Sequence, residues 1–186
     1  ANIYLWTLTR NYWGPQPEHS YFLHTWSLSL EEQFYFFFPI ILIFILKKAP
    51  SLLLTFSFLI TFLVYLVFAL FASDHPNASF YLLPARCWEL GMGATLAIYK
   101  TRPNNLFDKL NLRIISLSSW VGISMIFLSY LLLDGKSGLG FGLILPTLGA
   151  TIFILFAQNP TIGAAKFLSI APLVFIGKIS YSLYLN

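Results

Sequence analysis

Long apolar runs broken by short polar stretches dominate the chain. Residues 51–72 carry no charged side chain. At roughly 1.5 Å per residue, that run forms a helix long enough to cross a hydrocarbon core of ~30 Å. Residues 114–133 are a second such run, and residues 141–157 a third, with Pro146 inside it. A helix is expected from Ser29, where Ser29 and Glu32 stand at capping-box spacing and Glu31 and Glu32 suit the positive end of the helix dipole. It continues through residues 34–46 to Lys47 and Lys48. Pro39 should kink it and free the Tyr35 carbonyl. Residues 84–99 read as a shorter helix bearing Arg86 and Glu89, residues 158–178 as a mixed segment, and a last helix begins near Ile179. Residues 11–20, 73–83, 100–113 and 134–138 read as loops. Strands of a membrane barrel would be short and alternating, whereas these runs are long and continuous. The pattern therefore predicts an all-α, polytopic transmembrane helical bundle of about six membrane helices.

Composition removes the competing classes. Hydrophobic residues make up 58% of the 186, charged residues 10%, and the mean hydropathy is +0.74. A soluble domain is roughly 45–50% apolar and about 25% charged, so too little charge is present here to coat a water-facing surface. The same figures exclude disorder. Aromatic residues reach 18%, as suits bundle cores and membrane interfaces. The net charge of +4 does not point to nucleic acid, because the basic residues sit in clusters between apolar runs. Alternate loops hold Lys47 and Lys48; Lys100, Arg102, Lys109 and Arg113; and Lys166 and Lys178. The opposite side holds Arg10, Arg86 and Lys136. The excess predicts that the first set faces the cytoplasm. A single cysteine, Cys87, rules out an internal disulfide framework. The chain begins at Ala1 rather than Met and stops at Asn186 in mid-pattern. Residues 1–186 are therefore read as a single partial transmembrane domain, truncated at both ends.

Three segments concentrate chemistry. His24, Trp26, Ser27, Glu31, Glu32 and Tyr35 place a base, a hydroxyl, two acids and aromatics at one membrane boundary. On a helix Ser27 and Glu31 share one face, and Glu32 and Tyr35 another. The same residues would also serve a capped helix start within an aromatic belt. Arg86, Trp88 and Glu89 form the second segment. Arg86 and Glu89 are three apart and can touch, in the order that the helix dipole disfavours. Ionisable groups at membrane depth are costly and mark function, although a structural ion pair would use the same two residues. Nearby Gly91, Gly93 and Ala97 are small enough for close helix contact. The third segment sets Ser180 and Tyr181 at helical spacing, where packing alone would account for them. His19 and His75 have no companion ligands, so no metal site is expected, and no nucleotide loop or hydrolase elbow occurs.

These segments carry a resemblance. HTWSLSLEEQFY at residues 24–35 looks like the signature of the acyltransferase 3 family of polytopic membrane O-acyltransferases. RCWELGMGATLA at residues 86–97 resembles that family's Arg-x-Trp-Glu-Leu segment, and IGKISYSLYL at residues 176–185 its late helix entry. The lead-in at residues 2–13 is similar to the branch that O-acetylates lipopolysaccharide and related glycans.

The resemblance implies acyl transfer, acetyl in the usual case, from acyl-CoA to a hydroxyl of an extracytoplasmic, cell-surface glycan. The protein would sit multi-pass in the inner membrane, in contact with membrane lipid, with no bound cofactor and no nucleic acid. Some members carry an SGNH hydrolase-like domain. The family's catalytic histidine lies N-terminal to the residues present here, so the candidates in this chain have supporting or substrate-site roles. Glu31 or Glu32 would orient a partner, Arg86 would stabilise negative charge, and Glu89 would hold Arg86. The rival from another class is a transporter or exporter of a glycan or lipid-linked intermediate. Such a protein would also place Arg and Glu in a bundle, but repeat symmetry would be expected and none is evident.

Overall fold

A computed structural model describes residue 3 and residues 26–72, 74–102, 110–133 and 140–185. Among the described residues all regular structure is helical. The chain divides into two compact units, Ala1–Tyr99 with Leu139–Phe141, and Lys100–Gly138 with Gly142–Asn186.

The first unit contains α1 (Trp26–Lys48), a tight turn at Pro50–Leu52, α2 (Leu53–Phe71), α3 (Pro76–Tyr81) and α4 (Leu83–Lys100). α1 ends at Lys47 and Lys48, cations that suit the negative end of its dipole. Ala49 closes it with a bond from its N–H to the Ile45 carbonyl at 2.8 Å, and Pro50 opens the following turn. The buried residues of α2 are Thr61, Tyr65, Phe68 and Ala69, one stripe at helical spacing. Against that stripe α4 sets Trp88, which is 3% exposed. The Trp88 ring lies 4.8 Å from Tyr65 and 6.0 Å from Phe68 between centroids. One turn further, a Cβ on Gly91 would stand 2.7 Å from the Thr61 hydroxyl oxygen, so glycine is what lets α4 approach α2 there. Beyond it Ser57 and Thr95 share a hydroxyl–hydroxyl bond of 2.7 Å.

In the second unit, α5 (Leu112–Leu132) starts at an Asn111 cap whose side chain accepts from the Arg113 N–H at 3.1 Å. The unit also contains α6 (Ile144–Phe156), α7 (Gly163–Leu168) and α8 (Ala171–Leu185). α5 and α6 pack backbone to backbone at a glycine pair. A Cβ on Gly122 would fall 2.7 Å from the Phe153 nitrogen and 2.8 Å from the Gly149 carbonyl. A Cβ on Gly149 would fall 2.8 Å from the Gly122 carbonyl. Ser119, 1% exposed, fixes α7 against α5: it donates to the Ser116 carbonyl at 2.7 Å and accepts from the Ala164 N–H at 3.0 Å. Gly163 begins α7 at φ +58°, where a side chain would be strained and would also run into the Ser119 hydroxyl.

Among the described residues three helices are long and apolar enough to cross a membrane: Trp26–Lys48, Pro50–Phe71 with its leading turn, and Leu112–Leu132. Their outward faces are crowded with large apolar side chains, including Phe36 at 67%, Leu63 at 61% and Leu131 at 62% exposure. A soluble protein would not tolerate such a surface, whereas lipid matches it. The all-α membrane class predicted from the pattern is thus what the structure displays. The other three expected spans correspond to α4, α6 and α8, which fall short of that length and hydropathy standard.

Several local expectations need correction. Ser29 does not start a helix: α1 already includes Trp26, so Ser29 and Glu32 lie inside it and form no capping box. Pro39, the expected kink site, lies inside α1, which spans 23 residues. Residues 73–83, read as loop, contain α3, because Pro76 at its first turn gives up no bond. The last helix starts at Ala171 rather than Ile179, with Pro172 tolerated in its first turn. Of the three small residues on α4, Gly91 alone mediates close contact. Gly93 meets nothing within 4 Å, and both it and Ala97 are exposed, since at 100° per residue they turn away from the Gly91 face.

Small-to-alanine substitutions should separate these sites. In the full-length protein in detergent, Gly122→Ala should lower thermal stability by about 1–3 kcal/mol, because backbone opposes the new methyl group. Gly91→Ala should cost less, because the opposing Thr61 side chain can turn. Gly93→Ala should be neutral or stabilising by up to about 1 kcal/mol. An unchanged melting temperature for Gly122→Ala would contradict the glycine contact.

Candidate functional site

At the start of α4 the chain commits an arginine to a largely water-free position. The Arg86 side chain is 16% exposed and that of Glu89 30%, with an Nη1–Oε1 distance of 2.6 Å. The pair is one helical turn apart, and a cation in the first turn opposes the helix dipole. Aromatic rings supply the compensation. The guanidinium carbon lies 5.5 Å from the Trp26 ring and 5.3 Å from the Phe80 ring, within the range of cation–π attraction. Those two rings stand 4.4 Å apart between centroids, tilted by 37°. Tyr81, fully buried, meets Trp26 edge-on at 6.0 Å. Three elements thus converge: α1 contributes Trp26, α3 contributes Phe80 and Tyr81, and α4 contributes the ion pair.

The Arg86 Nε is buried and has no hydrogen-bond acceptor among the described residues. Glu89 engages one of five guanidinium N–H donors. The group is held in place by two rings and one carboxylate, yet retains donors for an oxygen-rich or anionic ligand. Trp88, one turn from Pro84 and beside Glu89, also keeps a buried indole N–H without a partner among the described residues.

The candidates named from sequence divide accordingly. Trp26, Arg86 and Glu89 come together in one cluster, and Trp88 packs beside it against α2. Ser27 and Glu31 are half-buried on α1, while Glu32 and Tyr35 are exposed. Neither acid is ion-paired among the described residues, whereas Arg86 and Glu89 are paired with each other. Ser180 lies in the second unit, exposed, and bonds its own helix at the Gly177 carbonyl at 2.7 Å. Tyr181 follows it in α8. His24 lies outside the described residues. Phe80 and Tyr81 are not singled out by the sequence pattern, because residues 73–83 lack a long apolar run and read as a loop. The available signal was Pro76 at a helix-opening position, followed by two aromatics directly before α4. No group of three His, Cys, Asp or Glu that could hold a metal occurs among the described residues.

Chemically the cluster is a polar anchor rather than a full catalytic set. It offers a fixed, partly desolvated cation that can bind or stabilise negative charge. The carboxylate beside it is occupied, and is not a free base.

Comparison with known proteins agrees with this character. The O-acetyltransferase OatA of Staphylococcus aureus (strain NCTC 8325 / PS 47) is 31% identical over 170 residues, covering 87% of this chain and 28% of that protein. An uncharacterized protein of Haemophilus influenzae is 35% identical over 144 residues, covering 72% of this chain and 53% of that protein. The chain therefore spans well under a third of OatA. No solved structure matches. The family model for the acyltransferase domain, acyltransferase 3, matches residues 1–185, and with that match over almost its whole length the chain belongs to the acyltransferase 3 family.

Proposed function

We propose that this chain is part of a membrane O-acyltransferase that moves an acetyl group from acetyl-CoA to a hydroxyl of an extracytoplasmic glycan. The observation that carries this reading is the Arg86 guanidinium, held by Trp26, Phe80 and Glu89 with donors to spare. A relative named for O-acetyl transfer agrees with it. Acyl transfer builds negative charge on the thioester oxygen, or on a glycan-linked group near it. A preorganised donor in a low-dielectric site stabilises such charge far better than water does. In this reading Arg86 contacts substrate, Glu89 positions Arg86, and Trp26 and Phe80 exclude water from it. The base that activates the acceptor hydroxyl comes from the part of the protein beyond this chain, and Glu31 serves a positioning role. An SGNH hydrolase-like domain fits the larger size of OatA. The protein would lie in the inner membrane with the Lys47–Lys48 and 100–113 segments cytoplasmic, as the distribution of basic residues favours.

Two experiments test the reading. Arg86→Lys in the full-length enzyme keeps the charge but loses the planar fork and Nε. It should lower glycan acetylation by about ten- to a hundredfold at normal membrane abundance. Glu89→Gln should reduce both activity and abundance, since it strands a mostly buried cation. Normal acetylation by Arg86→Lys at normal abundance would reduce the cluster to a structural ion pair. For topology, cysteines introduced at positions 104 and 136 on a Cys87-free background should be labelled from opposite sides of the membrane. Labelling from one side would overturn the orientation.

A further inference from the structure

A groove with a volume of about 330 Å³ runs between α1, α2 and α4, entirely within the first unit. Its wall follows α1 from Phe34 to Ile45, about 16 Å at the helical rise of roughly 1.5 Å per residue. The long axis runs along the helices, as lipid chains do. Almost every lining side chain is apolar. The wall hydroxyls Ser57 and Thr61 are engaged with Thr95, at 2.7 and 3.5 Å. The groove is also reachable sideways from lipid, since Ile41 at 48% and Ile60 at 44% exposure stand on its rim.

One end is chemically distinct. Ile45 and Leu53 line it, and α1 passes from Ile45 directly to Lys47 and Lys48, both exposed and in no ion pair among the described residues. The four acids among the described residues, Glu31, Glu32, Asp74 and Glu89, belong to the other end of α1 or to the α2–α4 connection and the start of α4. Two cations that follow closely on this end of the apolar slot, Lys48 with its Nζ 4.8 Å from the exposed Phe44 ring, and neither ion-paired among the described residues, match an anionic headgroup above an inserted chain.

We propose that this groove is a binding site for an anionic bilayer phospholipid. One acyl chain lies along Phe38, Ile41 and Thr61, and the phosphate sits at Lys47 and Lys48. The inference does not depend on the acyl-transfer reading: the groove would bind the lipid whether or not Arg86 contacts a substrate. Cys87, on the groove wall, reports occupancy.

The test uses the full-length protein with Cys87 as its one cysteine, in detergent, and measures the rate of modification by N-phenylmaleimide. Palmitoyl-oleoyl phosphatidylglycerol, at ten times its dissociation constant, should slow modification about tenfold. Phosphatidylcholine with the same chains should protect only at higher concentration, and dihexanoyl phosphatidylglycerol should not protect. Lys47→Ala with Lys48→Ala should bring the phosphatidylglycerol affinity down to that of phosphatidylcholine, and both surface changes leave the fold intact. An unchanged Cys87 rate in phosphatidylglycerol would overturn the proposal. So would equal protection by the two headgroups in the unsubstituted protein, protection by the short-chain lipid, or stronger protection by a polyprenyl phosphate. Glycan acetylation is not the readout, so failure here and failure of the Arg86 reading are separate results.

Discussion

In hydrocarbon an unpaired peptide group finds no water, and that single constraint organises both units. Each long segment satisfies its backbone within itself, as a helix. The polar side chains that remain are tied back to the same ladder. Ser129 bonds the Ile126 carbonyl at 2.6 Å, Thr147 the Leu143 carbonyl at 2.8 Å, and Thr151 the Thr147 carbonyl at 2.8 Å. With apolar surface matched by lipid, little hydrophobic force draws one helix to another. Close backbone approach at small residues supplies the missing attraction, through Gly91 against Thr61 in the first unit and Gly122 against Gly149 in the second. The tightest junctions are therefore where side chains are smallest, and where an added methyl group has nowhere to go.

Arg86 is the exception to this economy. Its charge stands in the first turn of α4, where the dipole opposes it, and most of its side chain is out of water. One carboxylate at 2.6 Å and two aromatic faces hold it there. Stability alone would be served as well by an apolar residue, since a buried ion pair contributes little against a well-packed hydrophobic replacement. Retaining the pair, with a buried Nε left unpaired, makes sense where a ligand completes its hydrogen bonding. That argument supports a substrate contact at Arg86 better than it supports Glu31 or Glu32, neither of which is ion-paired among the described residues, Glu32 being exposed on α1 as well.

The parts of the fold that were legible in the sequence are those that depend on one helix at a time. Uninterrupted apolar runs gave α2 and α5 nearly to the residue, because length and hydropathy suffice to define a span. Boundaries set by competition between local signals were not legible. Ser29 and Glu32 match a capping box, yet Trp26 lies in the helix because its ring packs on Phe80 and Tyr81 from another element. Pro39 sets no boundary, because a proline removes one bond and the rest of the ladder carries α1 past it. The Arg86–Glu89 pairing could be read from spacing alone. The aromatic clamp could not, because Trp26 and Phe80 are far apart in sequence and their meeting is a tertiary event.

The geometry of α1 also bears on how an acyl group would travel. Its 23 residues extend about 34 Å, close to the thickness of a hydrocarbon core, so Trp26 with its Arg86 partner and the Lys47–Lys48 pair mark opposite boundaries. Under the proposed reading the donor meets one boundary and the acceptor the other. The groove follows α1 for about 16 Å of that length, and its wall is apolar, with the hydroxyls of Ser57 and Thr61 engaged with Thr95. A phosphorylated, nucleotide-bearing donor would lose its hydration there with nothing to replace it. The groove is suited to a lipid chain and not to the donor, so the route for the acyl group must be built from polar surfaces other than the α1–α2–α4 wall. Arg86 would then act at the end of that route, where the charge that develops during transfer can reach its free donors.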